Sequence, residues 1–185
     1  MKRETSSSAK SNITLPIANR DHIQGPLDAP FALVEYGDFE CPYCGEAYPT
    51  VKAIRKRLGD RLCFAFRNFP LTNMHPHAEH AAEAAEAAGA RGRFWEMHDV
   101  LFENQDALED EDLARYASTL GLDASRVMDQ VLAGAHNARI QEDLRGGVRS
   151  GVNGTPTFFI NGIPYDGEPD VEAMLPLITR GIPRD

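Results

Sequence analysis

The sequence has little that would suit it to a membrane or a nucleic acid. No apolar run in its 185 residues approaches the length of a membrane span. Positive charge is in deficit, with 19 Lys and Arg against 28 Asp and Glu, a formal net charge of −9. A surface of that sign argues against nucleic acids and anionic lipids as main partners. Cysteine is scarce, and three residues are too few for a disulfide scaffold. The first ten residues are polar and serine-rich and lack the apolar core of a signal peptide. As written, the sequence leads us to expect a cytoplasmic protein. An exported or membrane-tethered protein is expected if a leader or fusion partner is missing, and the residues do not separate the two. Length and a 42% hydrophobic content suit one monomeric globular domain, with or without an insertion.

What is present centres on residues 31–58. Ala32-Leu33-Val34-Glu35-Tyr36 reads as a strand, Gly37-Asp38-Phe39-Glu40 as an acidic link, and Cys41-Pro42-Tyr43-Cys44 as the opening of a helix over 45–58. Val51, Ile54 and Leu58 form one apolar stripe, basic residues fill the last turn, and Gly59 follows as a terminator. Free N–H groups and a partial positive charge at a helix start stabilise a thiolate and lower its pKa. Cys41 is therefore expected to be exposed at the tip and reactive. Pro42 suits the first helical position, where no N–H is needed. Cys44, one turn on, should be more buried and able to close a ring with Cys41. The competing reading of a Cys-x-x-Cys pair is half of a zinc site, which needs further ligands. The other cysteine, Cys63, lies in an apolar run.

The rest of the chain reads in order. Residues 1–12 are polar and expected to be disordered. Residues 12–17 alternate weakly, as a short edge strand would, and 22–30 read as a loop. The first 24 residues are thus a tail with a short strand, and the domain runs over 25–185. Residues 61–67 make a second strand, which with the first strand and helix completes a βαβ unit with parallel strands. Residues from about 74 to 150 read as five helical pieces, too many for one crossover, and so as an inserted helical subdomain. Asp123 is expected to cap one of these. Thr157-Phe158-Phe159-Ile160, Asn161-Gly162 and Ile163-Pro164-Tyr165 form a hairpin. Asp170 caps a last helix over 171–179, ended by Gly181 and Pro183. The fold class is α/β, in the order β-α-β, helical insert, β-β-α.

Phe39-x-Cys41-Pro42-Tyr43-Cys44, the helical insert and Gly154-Thr155-Pro156-Thr157-Phe158-Phe159-Ile160-Asn161-Gly162 together resemble the DsbA-like branch of the thioredoxin superfamily. The chain is also similar to the thioredoxin-like domain appended to some sodium/proton antiporters. The resemblance implies a thioredoxin-like fold and a thiol–disulfide oxidoreductase acting on cysteine-containing proteins together with a redox partner protein. It implies no cofactor or metal beyond the Cys41–Cys44 pair. Cys41 matches the nucleophile and Cys44 the resolving cysteine. Pro156 matches a proline whose preceding bond, Thr155–Pro156, is cis, with Thr155 contacting the sulfur. Thr155, Pro156, Pro42 and Tyr43 would face the substrate. Glu35 matches a partly buried acid that exchanges protons with Cys44. The alternative for Glu35 is a strand acid in solvent, since Val34 and Tyr36 flank it. The resemblance also leaves open a redox or interaction module that regulates a membrane transporter without turnover of its own.

The dipeptide departs from the strongest oxidants of that branch, which carry Pro-His. With Tyr43 in place of His, and Asp38 and Glu40 adding negative charge, the pKa of Cys41 should not fall very low and the pair should be less oxidising. His75, His77 and His80 could hold a metal, and are read instead as an exposed helix entry at the rim of the site. Trp95 and His98 are assigned to the core, Cys63 is expected to be a buried, inert thiol, and residues 81–88 to combine packing with a solvated side.

Overall fold

A computed structural model of the chain describes residues 13–180. Its centre is a five-stranded sheet in the order β1-β3-β2-β4-β5. The strands are β1 (His22–Gln24), β2 (Phe31–Gly37), β3 (Leu62–Asn68), β4 (Thr157–Ile160) and β5 (Ile163–Tyr165). β2 and β3 are parallel in the register Leu33↔Phe64, while β1 joins β3, and β4 joins β2, antiparallel. The crossover between β2 and β3 is α1 (Pro42–Leu58), as a βαβ unit requires. Asn161 and Gly162 have φ of 49° and 82°, the left-handed pair of a two-residue hairpin turn.

Both faces of the sheet are covered, so β2 after Phe31 and all of β3 are continuously buried rather than alternating. One face carries Leu33, Phe64 and Phe66 into a large core with α1, α3 (Phe94–Glu103) and α7 (Val171–Thr179). The other carries Val34, Tyr36, Ala65 and Phe159 into a smaller core with Phe69 and Val152.

Between β3 and β4 lie α2 (Ala78–Gly89), α3, α4 (Asp110–Thr119), α5 (Ala124–Leu132) and α6 (Asn137–Arg149), the expected helical insert. Asp123 and Asp170 cap α5 and α7, accepting from Arg126 N–H at 3.1 Å and Ala173 N–H at 3.0 Å. The sequence reading of 81–88 fails in one respect, because every residue of that stretch is buried and none forms a solvated side. α2 is enclosed by α3, α4, α5 and α6, and its small alanines allow that approach. Glu86 is buried against Asn68 Nδ2 at 2.7 Å and His22 Nε2 at 2.9 Å, and Glu83 accepts from His136 N–H at 2.9 Å.

The edge strand also differs from expectation. Residues 13–17 form no strand, although Ile13 N–H donates to the Gly162 carbonyl. Pro16 lacks a ladder donor, and its carbonyl instead accepts from the buried Arg67 guanidinium, which pairs with Asp21 at 2.8 Å. β1 takes the free edge of β3 in its place. The expectations for 1–12 and for the terminators Gly181 and Pro183 fall outside the described residues.

Candidate active site

Cys41 is the N-cap of α1 and Pro42 its first residue. The Cys41 carbonyl accepts from Cys44 N–H at 3.1 Å and Gly45 N–H at 3.2 Å, the first helical bonds. Cys41 and Cys44 stand as two thiols. Cys41 is not exposed as the sequence suggested, since only 3% of it is accessible. The 154–156 turn lies over it, with its sulfur 3.3 Å from the Thr155 carbonyl, and Gln105 Nε2 donates to the carbonyls of Phe39 and Cys41, both at 2.8 Å. Tyr43, 66% accessible, is the exposed member of the motif with Pro42. The Thr155–Pro156 bond is cis.

The two sulfurs are pulled apart electrostatically. The Cys41 thiol is lowered to about 5. A hydrogen bond from Cys44 is the largest cause, opposed by burial and aided by the Thr155 side chain and the backbone N–H groups of Cys44 and Tyr43. The Cys44 thiol is raised well above its ordinary value by burial, then by its hydrogen bond to Cys41 and the charges of Glu35 and Cys41. Asp38 N–H lies 3.5 Å from Cys44 Sγ.

Glu35 is inside. It is 2% accessible, on the face of β2 shared with Leu33, and its Oε1 has no hydrogen-bond partner. Burial, with a smaller contribution from the Cys41 charge, raises its carboxyl to about 8. Alternation could not place it because neither face of β2 meets water.

Asp38 and Glu40, which the sequence reading set against a very low Cys41 pKa, each meet a histidine. Asp38 Oδ2 meets His75 Nδ1 at 2.7 Å, and Glu40 Oε1 meets His77 Nδ1 at 2.8 Å. Each acid is turned onto a histidine of the segment before α2, which sequence reading had treated as a bare helix entry. His80 pairs with Asp110. Gln105 was missed as well, being 61 positions from Cys44. Among the described residues no group of three or more His, Cys, Asp or Glu could hold a metal. His98 is buried amid the rings of Phe39, Phe66, Trp95 and Phe102, as a core residue, and Cys63 is buried in β3.

A family model described as Thioredoxin matches residues 18–180. The chain belongs to the thioredoxin family. This thioredoxin-family chain is similar in structure to BdbD from Bacillus subtilis, with a TM-score of 0.81 and 22% identity over 93% of this chain and 98% of that one. Another similar structure is alpha-DsbA1 from Wolbachia pipientis, with a TM-score of 0.76, 19% identity, and 90% and 92% of the chains covered. These likenesses show a DsbA-type thioredoxin fold with its helical insert. In sequence it is 48% identical over 163 residues to the Na(+)/H(+) antiporter NhaA 1 of Salinispora arenicola, covering 87% of this chain and 24% of the antiporter. The chain thus spans about a quarter of the length of the curated relatives it matches. Among the described residues no helix is long and apolar enough to cross a membrane.

Proposed function

We propose that this thioredoxin-family domain is a thiol–disulfide oxidoreductase acting through Cys41 and Cys44. One observation carries the reading: two adjacent thiols at a helix start have opposite acidities, with Cys41 brought down to about 5 and Cys44 pushed up. The thiolate is the attacking species in exchange, so only Cys41 is ready at neutral pH. Its sulfur attacks a substrate disulfide, forming a mixed disulfide and releasing one substrate thiolate. Glu35, in its ionised form, takes the Cys44 proton, and its burial makes it a stronger base than an ordinary carboxylate. Cys44 then attacks Cys41 Sγ and releases the second substrate thiolate, so the substrate is reduced and the pair oxidised. Run backwards, the sequence makes a substrate disulfide. The substrates are cysteine-containing proteins and a redox partner protein resets the pair. No metal or organic cofactor is called for, and the domain acts as a monomer. Pro42, Tyr43, Thr155 and Pro156 border the sulfur and would hold the substrate.

The test is the reduction potential of the pair, by equilibration with glutathione buffers, together with turnover of insulin disulfides. A potential of about −120 to −180 mV fits a disulfide donor or isomerase, and about −270 mV a reductase. Absence of a two-electron transition overturns the reading.

A second reading is favoured by the antiporter relatives, in which the matching region is about a quarter of the protein. There the domain would regulate a transporter through its redox state. A reversible two-electron transition without insulin turnover supports that reading over the first.

A further inference from the structure

The segment before α2 contributes side chains to the site that the exchange scheme leaves unused. Asp38, 1% accessible, gathers three donors: Glu40 N–H at 2.8 Å on Oδ1, and Leu71 N–H at 2.8 Å and His75 Nδ1 at 2.7 Å on Oδ2. Its own N–H points at Cys44 Sγ. Asp38 therefore touches the reactive pair on one side and fastens the 71–75 segment on the other. A carboxylate can only accept, so His75 donates through Nδ1.

His75 touches Asp38 at 2.7 Å, and the charges of Glu40 and Cys41, both acidic, also act on it. Glu40 is taken by His77 through Nδ1 at 2.8 Å and its N–H at 2.6 Å. His77 is the N-cap of α2 and Glu79 lies in its first turn. Gly154, Thr155 and Pro156, which lie over the sulfur, carry no cationic side chain. His75 is thus the group placed to carry positive charge toward the Cys41 thiolate, and Asp38 fixes where that charge sits.

We propose that His75, held by Asp38, is a positioning residue whose imidazolium stabilises the Cys41 thiolate from outside the Cys-x-x-Cys motif. The charge missing from the Pro-Tyr dipeptide is supplied by a residue more than 30 positions away. Burial alone would lower the His75 pKa, but the bond to Asp38 and the nearby acids, Cys41 among them, hold it above its ordinary value. The inference rests on Cys41 being the reacting thiol. When the thiolate is consumed in a disulfide, His75 loses an anionic neighbour and releases its proton more readily.

Coupling of this kind is reciprocal. NMR titration of His75 should give a higher midpoint in the reduced than in the oxidised protein, by up to about one pH unit. In His75→Gln, the Cys41 midpoint, read from thiolate absorbance at 240 nm, should rise by a similar amount. Glutamine keeps a donor for Asp38, so a merely structural role would leave the Cys41 midpoint in place and move only the melting temperature. Equal His75 midpoints in the two redox states, or an unmoved Cys41 midpoint in the variant, overturn the proposal. If the variant does not fold, the wild-type titrations decide alone. Shifted midpoints without insulin turnover would sink the enzyme reading and leave the coupling standing, and turnover with unmoved midpoints would do the reverse.

Discussion

At the scale of the residue, the Cys41 sulfur meets two Thr155 groups that a thiol and a thiolate use differently. The Thr155 carbonyl, 3.3 Å away, accepts from the thiol and favours the protonated form. The Thr155 hydroxyl is buried with no acceptor and acts in the opposite sense, lowering the Cys41 pKa. Thr155→Val keeps the volume and the carbonyl and removes the hydroxyl. One lost charge-assisted hydrogen bond is worth about 1.5 kcal/mol, or about one pH unit. The Cys41 midpoint in Thr155→Val, followed by thiolate absorbance, is therefore expected to rise by about that much. A midpoint equal to or below that of wild type would show that the hydroxyl does not reach the thiolate. Because the variant also deletes an unpartnered buried hydroxyl, its stability below pH 5 should not fall.

At the scale of the element, two glycines separate scaffold from site. Gly25 follows β1 with φ +85°, and a Cβ there would lie 2.0 Å from the Leu62 carbonyl oxygen. Backbone cannot step aside, and the conformation is strained for any side chain. Gly25→Ala should cost about 2–3 kcal/mol in urea unfolding by loosening the β1–β3 edge, with the Cys41 midpoint unchanged. Wild-type stability would mean that the edge strand is dispensable. Gly45 is the opposite case. A Cβ there would meet Gln105 Oε1, the end of a flexible side chain. Gly45→Ala should displace Gln105 and lose its two bonds to Phe39 and Cys41 for about 1 kcal/mol each. Elements were the legible part of this chain. Cys41-Pro42-Tyr43-Cys44 after an apolar strand, Asn161-Gly162 between β-rich runs, and Asp123 and Asp170 before helices are local signals, and each stands where it was read. The misses are of another kind. Asp38–His75, Gln105 on Cys41, and Glu86 with Asn68 and His22 join positions far apart in the chain, where no spacing rule applies. Glu35 was ambiguous for a related reason, since alternation is informative only when one face of a sheet is wet.

At the scale of the whole molecule, the buried titratable groups make stability depend on pH differently in the two redox forms. In the disulfide form neither cysteine titrates. Glu35 then dominates, because burial, the larger cause of its shift, persists without the thiolate. With the thiolate present its carboxyl titrates near 8 when folded, against 4.5 unfolded, and in the disulfide form burial keeps it raised. Between those values the unfolded chain binds fewer protons, so stability falls as pH rises, by at most about 1.4 kcal/mol per unit. In the dithiol form Cys41 works against this. It titrates near 5 when folded and near 9.0 when unfolded. Over that window the unfolded chain binds more protons, so stability rises with pH at a comparable slope. The raised Cys44 contributes only above this range. Asp143, raised to about 6 by burial against the pull of Arg139, and His98, lowered by burial, shape both curves alike. Urea unfolding at pH 5, 6.5 and 8 should give a nearly flat curve for the reduced protein and a falling one for the oxidised, the gap widening by up to about 4 kcal/mol. Glu35→Gln should flatten the oxidised curve above pH 6 while leaving most of the gap, which belongs to Cys41. Parallel curves would mean that Cys41 titrates as an ordinary thiol. The gap has a direct chemical meaning, since the free energy by which folding favours the dithiol over the disulfide is the free energy available for oxidising a substrate. A domain built this way becomes a stronger disulfide donor as pH rises from 5 to 8, measured against an unstructured dithiol. Its direction of flow is then set by the acidity of the compartment as much as by the partner it meets.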